Sequence, residues 1–128
     1  MSTLYIVAAP LNNLEDISMR ALRIFDEVDF ILCEDTRVMD KLLKHYNIKT
    51  PMISYHQHSN IKKTEYILDL LSKGKNLALV SNAGTPGISD PGWKLIQAII
   101  EKLGDDVAIE SAPGPSAVTA ALSISIAT

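Results

Sequence analysis

The chain holds 128 residues, 47% hydrophobic and 21% charged, with a formal net charge of −3. That composition suits one folded domain with a sizeable core and excludes a disordered chain. No stretch reaches the ~18 apolar residues of a membrane span, Met1–Val7 lacks the features of a secretory leader, and the single cysteine, Cys33, permits no intramolecular disulfide, so a reducing, cytoplasmic setting is expected.

Leu4–Ala9 is a short apolar run closed by Pro10 and Asn12-Asn13, which predicts a buried first strand. Asn13 is placed to cap a helix with Glu15 and Asp16 in its first turn. Leu14, Ile17, Ala21, Leu22 and Phe25 then recur at helical spacing up to Glu27. Val28–Cys33 predicts a second strand, and Asp35 or Thr36 opens a helix with an inward stripe of Val38, Leu42, Leu43 and Tyr46. Pro51–Tyr55 is a third strand. Asn60–Lys73 predicts a helix with Ile61, Tyr66, Leu68 and Leu71 among its inward candidates, and Gly74 stands where a helix end favours positive φ. Asn76–Val80 is the fourth strand, Trp93–Leu103 a helix stopped at Gly104, and Val107–Ile109 a fifth strand. Another helix starts at Ser116.

Short strands alternating with helices, with no hairpin turns between them, select an α/β fold: a mostly parallel five-stranded sheet with helices on both faces. The final run, Ala117–Thr128, is apolar and uncapped, as expected of one domain cut from a larger protein.

In such a sheet, ligands bind beyond the carboxyl ends of the strands, so the loops there carry the chemistry. The loop after strand four, Val80–Gly92, sets Gly84, Gly87 and Gly92 beside Pro86 and Pro91. Glycine admits close approach of backbone to a ligand and proline stiffens the loop. Ser89 or Asp90 before Pro91 also makes a competent helix start. The second loop, Cys33-Glu34-Asp35-Thr36-Arg37, is open to two readings. Asp35 caps a helix and Arg37 pairs with an acid, or an acid accepts a hydroxyl proton while Arg37 holds a phosphate. His56 and His58 project to opposite sides if their stretch is extended. No second ligand pair at suitable spacing supports a metal site.

The net charge conceals an asymmetry. Residues 41–75 hold seven lysines against Glu65 and Asp69, a balance of +5, together with all three histidines. This segment is either a solvated lysine-rich surface or the footprint of a phosphate-bearing partner.

No G-x-x-x-x-G-K-[ST], no G-x-G-x-x-G after strand one and no G-x-S-x-G occurs, so P-loop, dinucleotide and serine-hydrolase readings lose support. Instead Leu4–Ile17, Cys33–Arg37, Val80–Gly92 and Pro113–Ala121 together resemble the tetrapyrrole methylase superfamily. Within it they are most similar to the bacterial 16S ribosomal RNA (cytidine-2′-O-)-methyltransferases. The resemblance runs from Thr3 to the last residue, with the motifs in order. It departs from the family pattern where Ala9 and Asn12 replace a Thr and a Gly, and where Asn82 replaces an acid, losing a charge but keeping the hydrogen-bonding shape.

The resemblance implies an S-adenosylmethionine-dependent enzyme acting on a cytidine 2′-hydroxyl of 16S rRNA in the 30S subunit. It implies a homodimer of two-domain chains, with residues 1–128 as the N-terminal domain. Cofactor binding is expected at Pro10, Asn82, Gly84, Thr85, Pro86, Gly87, Pro113, Gly114 and Ser116. Asp35, Glu34 and His56 are the candidates for taking the hydroxyl proton, and Arg37, Lys62 and Lys63 for binding substrate. The alternatives are a methylase of a tetrapyrrole or other small substrate, and a non-catalytic RNA-docking or dimerisation domain.

Overall fold

The computed structural model describes residues 1–11, 13–56, 58–82 and 90–112, and at 82, 90 and 91 the backbone alone. The chain alternates β1 (Ser2–Ala9), α1 (Met19–Glu27), β2 (Phe30–Cys33), α2 (Thr36–His45), β3 (Met52–Ser54), α3 (Ile61–Ser72), β4 (Leu77–Asn82), α4 (Asp90–Lys102) and β5 (Val107–Ala112). The strands form one five-stranded sheet in the order β3-β2-β4-β1-β5, with every pairing parallel. The expected α/β class holds.

Parallel strands bury both faces, and the pleat sends alternate side chains to two cores. Val7, Ala9, Ile31, Cys33 and Ala78 meet α1 and α2 through Ala21, Ile24, Phe25, Met39, Leu42 and Leu43. Leu4, Ile6, Leu32, Leu77 and Leu79 meet α3 and α4 through Ile67, Leu71, Leu95, Ile96 and Ile99.

Helix boundaries and phases correct several sequence expectations. Asn13 does not cap α1. Its Nδ2 donates to Asp16 Oδ2 at 2.8 Å, and Leu14–Asp16 is an isolated 3₁₀ turn. Ile17 is extended, and α1 starts three residues after that turn, where Ser18 Oγ accepts from the Ala21 N–H at 3.0 Å. On α2 it is Met39, fully buried, that joins Leu42 and Leu43, while Val38 and Tyr46 are only half-buried. On α3 Ile61 and Tyr66 point outward, 75% and 48% exposed, and Ile67 and Leu70 take the inward places beside Leu68 and Leu71.

Among the described residues, α2, α3 and α4 each end on a left-handed position, the last at Gly104 (φ 52°). At Gly74 (φ 86°) the Lys75 N–H reaches the Leu70 carbonyl and the Gly74 N–H that of Leu71, which closes a Schellman motif. Asn47 (φ 57°) does the same for α2, with Ile48 bonded to and packed near Leu43. Strands β4 and β5 run past Val80 and Ile109, to Asn82 and Ala112.

Candidate active site

Each of α1 to α4 begins at the carboxyl edge of the sheet, because each connects the end of one strand to the start of the next parallel one. Ala9 stands opposite Asn82 and Val7 opposite Ala112, so the loops after β1, β4 and β5 leave side by side. Cys33 stands opposite Ser54, which sets the loops after β2 and β3 together. The neighbours β2 and β4 send their chains to opposite faces, α2 to one and α4 to the other, opening a crevice of the kind that holds ligands in doubly wound sheets. Side chains at the ends of β1, β4 and β5 are small: Ala8, Ala9, Ser81, Ser111 and Ala112.

Pro10 is half-buried at the end of β1, and the backbone of Asn82 ends β4. Gly84, Thr85, Pro86, Gly87, Pro113, Gly114 and Ser116, with Asn12, Ser89 and the expected last helix, lie outside the described residues.

The three acid–base candidates differ in what already occupies them. Asp35 is the N-cap of α2: its Oδ1 accepts from the Arg37 N–H at 2.9 Å, and Arg37 Nε lies 3.5 Å from the same oxygen. Hydrogen bonding from the Arg37 backbone holds this carboxyl below its usual range, against an opposing desolvation and with help from the Arg37 side chain and the Val38 N–H. The ion pair itself is exposed and adds little to stability.

His56 and His58 do not sit in an extended stretch. They share a turn in which the Ser59 N–H donates to His56 O at 2.8 Å, the His56 N–H to Ser59 Oγ at 3.0 Å and the His58 N–H to His56 Nδ1 at 3.1 Å. With Nδ1 accepting, the neutral His56 ring carries its proton on Nε2 and is a donor. Glu34 is exposed just past β2 and makes no hydrogen bond or ion pair among the described residues.

Beneath them, the Cys33 thiol is pushed up to about 11, first by burial and then by the Asp35 charge. It packs as a small apolar group.

The lysine-rich segment divides. Lys44 and Lys73 are paired with Asp40 and Asp69 at 2.8 and 2.9 Å, and Lys49 and Lys75 precede β3 and β4 at the amino edge. Of this segment's lysines, Lys62 and Lys63, in the first turn of α3, stand at the carboxyl edge.

There they follow a wider pattern that sequence reading missed. The first turns of α1, α2 and α3 contain no acid, and they carry Arg20, Arg37, and Lys62 with Lys63. A helix N-terminus is already the positive end of the macrodipole, so cations are concentrated where stability alone disfavours them. Their signal in the sequence was a basic residue within three positions of each true cap. Misplacing the α1 cap hid Arg20. Glu15, Asp16, Glu34 and Asp35, acids of this edge, lie between the strands and these three helices, and α4 differs in starting on an acid, Asp90.

The family profile described as Tetrapyrrole (Corrin/Porphyrin) Methylases matches residues 3–126. The chain belongs to this family. Relatives of this tetrapyrrole methylase chain include proteins named "Ribosomal RNA small subunit methyltransferase I". That from Streptococcus pyogenes serotype M6 is 48% identical over 94% of this chain and 41% of its own length. The one from Thermotoga maritima is 46% identical over 98% and 55%. The methylase chain thus spans about half the length of the curated relatives it matches. Among solved structures, uroporphyrin-III-C-methyltransferase from Thermus thermophilus superposes with a TM-score of 0.60 at 16% identity, covering 91% of this chain and 48% of that one. Its native form gives 0.64 at 13%, covering 92% and 50%. These two likenesses establish the fold.

Proposed function

We propose that this chain is the N-terminal domain of a two-domain, homodimeric S-adenosylmethionine-dependent methyltransferase of the cytoplasm. Its substrate in this reading is a cytidine 2′-hydroxyl of 16S rRNA in the 30S subunit. The observation that carries the reading is the set of acid-free first helical turns bearing Arg20, Arg37, Lys62 and Lys63 at the edge where the strands leading into the family's motifs end. Cations grouped on those turns, at positive helix ends, attract a polyanion. The relatives' name supports ribosomal RNA of the small subunit as that polyanion.

The residues present fit the cofactor. Small side chains at the ends of β1, β4 and β5 leave room for an adenosyl group, and Pro10, Asn82 and the segments 84–87 and 113–116 would hold it. When bound, S-adenosylmethionine supplies the methyl group.

The protein's part is to fix the acceptor hydroxyl in line at ~3–3.5 Å and to receive its proton. Of the three candidates, Glu34 has the open carboxylate. Asp35 serves α2 and tunes its surroundings as an anion, and His56 offers a donor at Nε2 for a ribose or phosphate oxygen. Arg37, Lys62 and Lys63 hold the backbone of the substrate.

The test is cofactor-dependent methylation of 30S subunits by the full-length protein. Glu34→Gln is expected to lower kcat by about 10²–10⁴-fold, while Asp35→Asn retains most activity because an amide still caps. Wild-type rate in Glu34→Gln removes Glu34 from the proton path, and no cofactor-dependent methylation removes the function.

A further inference from the structure

We infer that the groove between α3 and α4 is a second RNA subsite, which seats one nucleotide of a single strand flanking the reacting one. This rests on the RNA-methyltransferase reading and extends it to Lys94 and Lys102, to which the resemblance assigns no role.

The groove has a volume of about 250 Å³, and its mouth is the turn that carries His56 and Ser59. Its floor is apolar, made by the buried Leu68 with Ala98 and Tyr55. Along one rim α3 presents Asn60, Thr64 and Glu65; along the other α4 presents Lys94 and Lys102. The two lysines stand about 12 Å apart along the helix axis.

Three observations converge on a nucleotide. First, neither Lys94 nor Lys102 forms an ion pair with a described residue, whereas Lys44 and Lys73 on the same molecule do. Cations held open along one rim of a groove suit phosphate. Second, Ile61 is 75% exposed at the rim, although its side chain is large and apolar. An exposed aliphatic group over an apolar floor provides a slot for the face of a base. Third, the polar groups between slot and lysines match a ribose. Thr64 Oγ1, which lies 3.4 Å from Tyr55 Oη, and the Asn60 amide supply both donor and acceptor capacity. Glu65, the acid of the lining, accepts from a 2′-hydroxyl or an exocyclic amine.

The volume suits one nucleotide, and splayed single strands are the form in which RNA presents separate bases to side chains. The groove opens beside His56, so a strand seated in it continues onto the carboxyl edge.

The probe is a short single-stranded RNA of mixed sequence, labelled for fluorescence anisotropy and titrated into the full-length protein from 50 to 300 mM salt. Removing two phosphate contacts in Lys94→Gln/Lys102→Gln is expected to reduce the slope of log K against log salt by about 1.4, at about 0.7 per single-strand contact. Lys49→Gln/Lys75→Gln, at the opposite edge of the sheet, is expected to leave the slope unchanged. Thermal melting checks that both variants are folded.

An unaltered slope in the groove variant overturns the subsite, as does an equal loss in the control pair, which signals diffuse attraction. So does a change in sedimentation with unchanged RNA binding, which makes the groove a contact between protein chains. If the unmodified protein binds no RNA, the broader function fails with it; if it binds and methylates while the groove variant keeps an unaltered slope, only the subsite fails.

Discussion

Lys63→Glu separates stability from function at one residue. Lys63 is the third residue of α3, and its N–H donates to Asn60 Oδ1 at 2.9 Å. The turn holds no acid to oppose the helix dipole. The residues three and four positions on are Tyr66 and Ile67, so no ion pair is lost on substitution. Removing a cation and adding an anion each contribute about 0.3–1 kcal/mol at this position. A glutamate three residues after the Asn60 cap also has the spacing of a capping box, in which its carboxylate reaches back to the cap N–H. The sum is a gain of about 1 kcal/mol, or roughly 3–5 °C in Tm for a domain of this size. Lys63→Gln keeps the box without the charge and is expected to fall midway.

Urea denaturation at low and at 0.5 M salt measures this. The order of stability should be Glu above Gln above Lys, with the Glu–Gln gap shrinking in salt. RNA affinity should run in the opposite order. Lower stability in Lys63→Glu refutes the dipole argument. A stability gain without any loss of RNA binding refutes the view that the lysine is kept for a polyanion.

Three further expectations rest on single sites. Cys33, raised to about 11, loses its proton more readily when unfolded. Its contribution is therefore intact below about pH 9 and lost as pH rises toward 11, by up to about 2–3 kcal/mol. Chemical denaturation across that window should fall less steeply in Cys33→Ala. Asp35 has a lowered pKa, so its contribution is present above the ordinary carboxylate range and lost as pH falls through its folded value. Acid unfolding monitored by circular dichroism should lose part of its pH dependence in Asp35→Asn. Gly74 at φ 86° has open space where a Cβ would stand, so strain alone acts there. Gly74→Ala should cost about 1 kcal/mol in a urea melt, and Gly74→Asn less.

Much of this molecule was legible because its signals are local. The alternation of short apolar runs with helical stripes specified five strands and their order along the chain. Asp35, Asn60 and Gly74 stood at helix ends because a capping oxygen or a left-handed residue acts on its immediate neighbours. Errors arose where two local rules competed. Asn13 with Glu15 and Asp16 imitates a helix start, yet Ser18 offers a better-placed oxygen just before the stripe of Ala21, Ile24 and Phe25. Tyr66 and Ile67 are adjacent apolar residues, and only the position of the sheet decides which turns inward.

The candidate site was legible in kind but not in arrangement. Glu34, Asp35, Arg37 and His56 were identified from the residue types that gather at strand ends, and nothing local distinguished the acid that caps from the one left open. That distinction depends on where α2 begins. Lys94 and Lys102 are absent from any sequence motif, because they gain a meaning only when α4 packs beside α3.

The sequence by itself determined the α/β class and the family, through periodicity and contiguous motifs that involve neighbours along the chain. Only the tertiary structure decided which lysines are neutralised, which acid has no partner among the described residues and which helices share a groove. Those depend on side chains brought together across the sheet, at separations that no local pattern encodes.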